Sequence, residues 1–106
     1  MSKYLVHSKY TLEGLKGLLK EGGTARKDAT EKAIASVGGK MEAYYFAFGD
    51  SDVILICELP DNVAAAGLSL FANATGTTEA KFTVLLTPEE VDAATKLSFD
   101  YRPPGK

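Results

Sequence analysis

The chain has 106 residues, of which 45% are hydrophobic and 25% are charged, and its formal net charge is -2. This size and composition are those of one globular domain, and the near balance of charge gives no electrostatic reason to expect nucleic acid or a membrane as partner. The N-terminus alternates polar and apolar residues, unlike a signal peptide, and no apolar run approaches the ~18 residues of a membrane span. Cys57 has no second cysteine to pair with. We therefore expect a cytoplasmic protein.

The first third of the chain predicts a strand followed by two helices. Residues Lys3 to Tyr10 alternate as a strand does, and Thr11 then provides an N-cap for leucines at helical spacing. This helix ends at Gly22-Gly23. A second helix is predicted over residues 24–37 and ends at Gly38-Gly39.

The centre of the chain predicts a β-hairpin. Two runs rich in aromatic and β-branched residues, 41–48 and 52–59, are separated by Gly49-Asp50-Ser51-Asp52. Such Gly/Asp/Ser clusters reverse a chain between strands, and their side chains bond to their own backbone. We interpret Gly49 and Asp52 as structural turn residues. The alternative, a cation loop, lacks the length and the ligands of a calcium site.

The last third predicts a helix, a strand and a short helix. Asp61 caps the first helix, whose narrow stripe of small residues predicts close packing on a sheet, and Gly76 ends it. A fourth strand is predicted over residues 78–86. Thr87-Pro88 then begins a terminal helix to about Lys96.

The order of these elements predicts an α+β fold, the ferredoxin-like plait. In this split β-α-β arrangement the helical connections lie on one face of a four-stranded antiparallel sheet. We expect one domain over residues 1–97 and a flexible tail over residues 98–106, which contains two prolines and a glycine.

Alternation sorts the strand residues into two faces. The face expected to lie under the helices contains Val6, Ser8, Ala43, Tyr45, Ala47, Val53, Leu55, Cys57, Phe82 and Val84. The opposite, open face is expected to contain Leu5, His7, Lys9, Tyr44, Phe46, Phe48, Ile54, Ile56, Glu58, Lys81, Thr83 and Leu85. Because so apolar a face seldom stays bare on a monomer, we expect a homodimer, or a higher homo-oligomer, built face to face.

Three segments resemble the bacterial GYD-domain family. They are YLVHSKYTLEGLKGL, GGKMEAYYFAFGDSDVILICELPD and ATGTTEAKFTVLLTPEE, and the similarity covers residues 3 to about 92. The family is named for a Gly-Tyr-Asp signature in the central hairpin. Here Gly49 and Asp52 stand as G-x-x-D, with Ser51 where the aromatic residue is expected. The resemblance implies the same plait, within the dimeric α+β barrel group, and implies no particular substrate.

The candidate catalytic residues are His7, Glu58 and Tyr44. His7 is the only histidine, which makes it the one side chain suited to accept a proton near neutral pH. Glu58 on the neighbouring strand would orient it, and Tyr44 would donate a hydrogen bond. The competing interpretation makes His7 a polar residue of a dimer interface. Further residues of this open-face pocket would be Lys9, Phe46, Phe48, Ile56 and Lys81.

The sequence leaves several functions open. The first is a small dimeric protein that binds a planar small molecule or acts as an accessory assembly module, with no cofactor and no metal. The alternative is a cofactor-independent isomerase or monooxygenase with its pocket at His7. A weaker alternative is haem binding through the same histidine.

Overall fold

The computed structural model describes residues 1–106 and shows an α+β fold with one four-stranded sheet and four helices. All neighbouring strands are antiparallel and their order is β2-β3-β1-β4, which confirms the ferredoxin-like plait. The elements in chain order are β1 (Ser2–Tyr10), α1 (Leu12–Glu21), α2 (Gly23–Ser36), β2 (Lys40–Phe46), β3 (Val53–Leu59), α3 (Asn62–Ala74), β4 (Thr78–Leu85) and α4 (Pro88–Thr95).

Three helices begin at the side-chain caps that the sequence predicts. The side chains of Thr11, Asp61 and Thr87 each accept a hydrogen bond from a backbone N–H in the first turn of α1, α3 and α4. In α4 the Glu90 side chain also accepts from the Thr87 N–H, which completes a reciprocal capping box. None of the helices is both long and apolar enough to cross a membrane.

A β-bulge interrupts β2 and changes which side chains face the helices. Met41 lies opposite Cys57, but Ala43 lies opposite Ile56, so Glu42 is an extra residue in the strand. Because side chains alternate with a period of two, one extra residue moves every following side chain to the other face. Tyr44 and Phe46 therefore lie under the helices, and the prediction that places them on the open face is wrong.

The bulge also places Tyr45 on the open face, where it lies opposite Ile54 and is 70% exposed. The expectation that Tyr45 faces the helices is wrong for the same reason, and so is the expectation for Ala43, which lies opposite Ile56 of the open face. On the other three strands the predicted faces are confirmed, since Leu5, His7 and Lys9 of β1 lie opposite the expected residues of β3 and β4.

A small core lies between the sheet and the helices. Its side chains are the inward residues of β1 and β3, joined by one residue each from α2 and α3: Tyr4, Val6, Ile34, Val53, Leu55, Cys57, Leu59 and Ala65. α2 packs on β2, α3 packs on β4 and β3, and α1 packs against α2 and β1. The helices thus form two groups over different parts of the sheet.

The C-terminal part of the chain extends away from this domain. Every residue from Pro88 to Lys106 is exposed, including the apolar residues Val91, Leu97 and Phe99. The longest dimension of the molecule is 57 Å and its radius of gyration is 17.0 Å. A compact chain of this length would have a radius of about 13 Å.

One close contact fixes α1 against the start of β4. Gly14 is buried, and a Cβ atom there would overlap the carbonyl oxygen of Thr77 and approach the Tyr10 ring. The same part of α1 is held by the Thr11 N–H, which donates to the Thr77 carbonyl at 3.1 Å. A glycine is therefore required at position 14 by close approach.

We predict that Gly14→Ala lowers the free energy of unfolding by about 1–3 kcal/mol, because the added methyl group meets backbone that cannot move aside. The matched control is Gly17→Ala, one turn further along α1, where a Cβ meets nothing within 4 Å. That variant should be more stable than the wild type by about 0.5–1 kcal/mol. Chemical denaturation of both variants checks the prediction, and equal stabilities would contradict it.

Candidate functional site

A cavity of about 710 Å³ lies between the helices and the sheet. We call it the helix-side cavity. Its floor is formed by inward residues of the strands, and its walls are formed by α1 and α2 on one side and by α3 on the other. This volume is within the range of about 300–1,000 Å³ that small-molecule sites occupy.

The cavity exists because small residues line the inner sides of the helices. Gly17 of α1, Ala29 and Ala33 of α2, and Gly67 and Ala72 of α3 all border it. The stripe on α3 predicted close packing on the sheet, but a Cβ on Gly67 would meet nothing within 4 Å, so that prediction is wrong at this residue. The small side chains leave room for a guest molecule.

A polar group of side chains forms one end of the cavity. The half-buried Tyr44 lies there with Tyr10, Thr30 and Arg26, and all four line the cavity. Burial is the main cause that raises the pKa of Tyr44 to about 12, and the neighbouring Tyr10 raises it further. Thr30 and Arg26 lie close enough to lower this pKa, but burial prevails. Tyr44 is therefore a neutral hydroxyl, able to donate a hydrogen bond at physiological pH.

Asp52 of the central turn holds the strand that forms this end of the floor. Its Oδ2 accepts a hydrogen bond from the Tyr10 N–H at 2.8 Å, and its own N–H donates to the Ser8 carbonyl at 2.8 Å. The Asp52 carbonyl also accepts from the Ala47 N–H at 2.9 Å. Since Ser8 and Tyr10 both border the cavity, the first two of these bonds connect the turn to the cavity floor.

The aromatic residues of the hairpin form a row on the helix side of the sheet. The Tyr44 and Phe46 rings meet edge to face at 5.4 Å, and Phe46 stacks on Phe48 at 5.8 Å. Phe46 also lies against Gly23 at the start of α2, where a Cβ would come within 2.9 Å of the ring. Phe48 is exposed and has a positive φ of 54°. Phe46 and Phe48 thus lie on the side of the sheet opposite His7, so the prediction that places Phe48 in the open-face pocket is also wrong.

His7, Glu58 and Tyr44 do not share a site. His7 lies opposite Ile54, whereas Glu58 lies opposite Lys3, four residues away along β3, which is about 13 Å. Tyr44 is on the other face of the sheet. The neighbour of His7 is instead Ser51, whose Oγ lies 3.3 Å from the His7 Nδ1. The expectation that Glu58 orients His7 is therefore wrong.

The other residues predicted for an open-face pocket have separate positions. Lys81 lies opposite His7, and Lys9 is two residues further along β1, opposite Glu79. Ile56 lies opposite Leu5 in the middle of the sheet. These three remain on the open face with His7, and none of them borders the helix-side cavity.

Sequence reasoning did not bring together the residues that form the polar end of the cavity. Tyr10 was expected only as the end of a strand, and Thr30 and Arg26 lie on α2 at spacing of four, which places them on one side of that helix. The available signal was the combination of that spacing with the small residues Ala29 and Ala33 on the same helix.

Cys57 lies under the helices, as its pattern predicts, and is fully buried. Burial raises the pKa of its thiol to about 11, with the charge of Glu42 as a second cause. The thiol is therefore not ionised at neutral pH, and a buried thiol of this kind is inert. The structure contains no cluster of three or more His, Cys, Asp or Glu side chains that could hold a metal ion.

Comparison with known proteins matches the family model for the GYD domain over residues 4–95. The chain belongs to the GYD domain family. The match spans β1 to α4 and so includes every element that borders the helix-side cavity. No curated protein and no solved structure matches this GYD domain.

The turn from Gly49 to Asp52 bonds to the first strand through two of its side chains. Its aspartate bonds to the backbone of β1, and its serine contacts His7. Both side chains thus tie the hairpin turn to the first strand. Asp52 thus contacts the floor of the cavity through the backbone of Ser8 and Tyr10.

The buried hydroxyl of Tyr44 predicts a late ionisation step. In the folded GYD domain one tyrosine should ionise at about pH 12, and Tyr44→Phe should remove that step. In the unfolded state the Tyr44 hydroxyl should ionise near its ordinary pKa of 10.0, whereas in the folded state it keeps its proton to about pH 12. The contribution of this hydroxyl to the free energy of unfolding should therefore be fully present below pH 10 and be lost between pH 10 and about 12.

Phenolate absorbance during a pH titration, together with denaturation midpoints over the same range, measures both effects. Tyr45→Phe is the control, since this side chain is 70% exposed on the open face. If the late step persists in Tyr44→Phe, or disappears in Tyr45→Phe, the position of Tyr44 under the helices is contradicted.

Proposed function

We propose that this GYD domain binds a small, flat, mostly apolar molecule in the helix-side cavity. The observation that carries the proposal is a 710 Å³ space with mainly apolar walls and a polar group at one end. Protein interiors are close-packed, so a space this large between a sheet and its own helices favours occupation by a guest. Apolar walls with a few convergent polar groups are typical of ligand sites.

The structure gives less support to catalysis at His7. General base catalysis needs the base, the group that orients it and the donor to the substrate within hydrogen-bonding reach of a common point. In this chain the three candidate residues are separated by a sheet or by about 13 Å along a strand. We therefore favour the binding function over an isomerase or monooxygenase that uses these three residues.

Ligand binding can be tested with N-phenyl-1-naphthylamine, a neutral, apolar dye whose fluorescence rises in apolar sites. We expect saturable binding to the wild type at one site per chain. Ala29→Phe places a ring at the wall of the cavity and should weaken binding at least about tenfold, because the volume available to the dye decreases.

The matched control is Ala35→Phe, an exposed position on the same helix that does not border the cavity. This variant should bind the dye as the wild type does. Absence of saturable binding to the wild type, or equal binding by the two variants, would overturn the proposal.

We also propose that the open face of the sheet pairs with a second copy of the chain. Ile54 and Tyr45 lie side by side on this face and are 39% and 70% exposed, with Leu5, Ile56 and Leu85 in the neighbouring rows. The helices cover only the opposite face. A second copy would bury this apolar surface and leave the helix-side cavity of each copy accessible.

Ile54→Asp should convert the dimer into a monomer or an aggregate, because it places an unpaired carboxylate within the proposed interface. Leu19→Asp on α1 is the control, since this leucine is 87% exposed and away from the open face. Size-exclusion chromatography with light scattering checks both variants. A wild-type monomer, or a dimer that survives Ile54→Asp, rules out this interface.

A further inference from the structure

The polar end of the helix-side cavity contains three side chains that can donate hydrogen bonds: Tyr44, Tyr10 and Arg26. Tyr44 presents a neutral hydroxyl, and Tyr10 presents another beside it. The Thr30 hydroxyl donates to the Arg26 carbonyl at 2.9 Å, which leaves its oxygen free to accept but not to donate. The Arg26 guanidinium has five N–H donors, and one of them meets the Glu21 carboxylate at 3.4 Å. This end of the cavity is therefore suited to a ligand group that accepts hydrogen bonds.

The charged side chain that acts on Tyr44 is a cation, Arg26. Arg26 is the only lysine or arginine that borders the cavity. Two acids, Glu13 and Glu21, also border it, but both lie on α1 and are exposed. Arg26 already opposes the charge of Glu21, and Arg26 is the charged residue that acts on the Tyr44 hydroxyl. An acceptor group placed at Tyr44 would thus have a cation as its nearest charged neighbour.

The remainder of the cavity is mainly apolar. Aliphatic and aromatic side chains of the sheet and of α1, α2 and α3 border it, among them Val6, Leu18, Ile34, Leu55, Leu68 and Phe82, together with the hydroxyl side chains of Ser8, Ser36, Thr75, Thr77 and Thr78. A ligand that fills this part must be largely apolar, since an unpaired polar group would lose its hydrogen bonds to water.

We propose that the ligand is a flat apolar molecule with one anionic oxygen group, such as a carboxylate or a phenolate, held by Tyr44 and Arg26. This inference rests on the proposed function, because it names the chemical class of ligand for the same cavity. Charge-assisted hydrogen bonds from a guanidinium are about twice as strong as neutral ones, so Arg26 should contribute most of the preference for an anion.

Two dyes with the same ring system test the charge of the ligand. N-Phenyl-1-naphthylamine is neutral, and 8-anilino-1-naphthalenesulfonate differs from it by one anionic sulfonate. We expect Arg26→Gln to weaken binding of the anionic dye about tenfold and to leave binding of the neutral dye within about twofold. Tyr44→Phe should weaken binding of the anionic dye about threefold, because one donor is lost.

Two further variants are controls for Arg26→Gln: one removes a nearby positive charge outside the cavity, and the other also removes the carboxylate that Arg26 pairs with. Lys27→Gln removes a neighbouring positive charge of α2 that does not border the cavity and should leave both affinities unchanged. Glu21→Gln together with Arg26→Gln removes the ion pair without leaving an isolated carboxylate. This double variant should still bind the anionic dye several-fold more weakly than the wild type.

The outcomes distinguish the two proposals. If neither dye binds, the proposed function fails and the ligand class fails with it. If the neutral dye binds but the ratio of the two affinities is the same in the wild type, Arg26→Gln and the double variant, the cavity binds ligands and the anionic class is wrong. If Lys27→Gln changes the ratio of the two affinities as much as Arg26→Gln does, the assignment of the anionic group to Arg26 is also wrong.

Discussion

The site depends on the β-bulge in β2, which determines the side of the sheet on which the aromatic side chains of this strand lie. One extra residue, Glu42, turns Tyr44 and Phe46 toward the helices and Tyr45 toward the open face. Phe46 then supports the start of α2, and Tyr44 enters the space between helices and sheet. Glu42 itself forms a salt bridge with Lys3 across the sheet at 3.0 Å. Without the extra residue the Tyr44 hydroxyl would lie on the other face of the sheet, away from the polar end of the cavity.

The helix-side cavity results from a balance between close contact and open space. At Gly14 the helix backbone approaches the sheet region so closely that no side chain fits, and this contact sets the position of α1. At Gly17 and Gly67 the absence of a side chain leaves space unfilled. Glycine thus permits close approach at one position and leaves open space at two others.

The central turn is bonded to the strand that forms part of the cavity floor. Asp52 bonds to the backbone of Ser8 and Tyr10, and both residues border the helix-side cavity. A turn on the surface therefore holds the edge of an interior site. The residue in place of the signature aromatic, Ser51, contacts His7 on the opposite face, so the one turn connects to both faces of the sheet through β1.

The sequence by itself determined the elements and their order. Local signals such as the caps at Thr11, Asp61 and Thr87 act within one turn of helix. The alternation of residues along a strand predicts the correct face for each side chain wherever the strand has no bulge. Only the tertiary structure decided the site. The bulge depends on pairing between β2 and β3, and the cavity depends on the separation between α2 and α3. Both are relations between residues distant in the chain, which local patterns of composition and spacing do not encode.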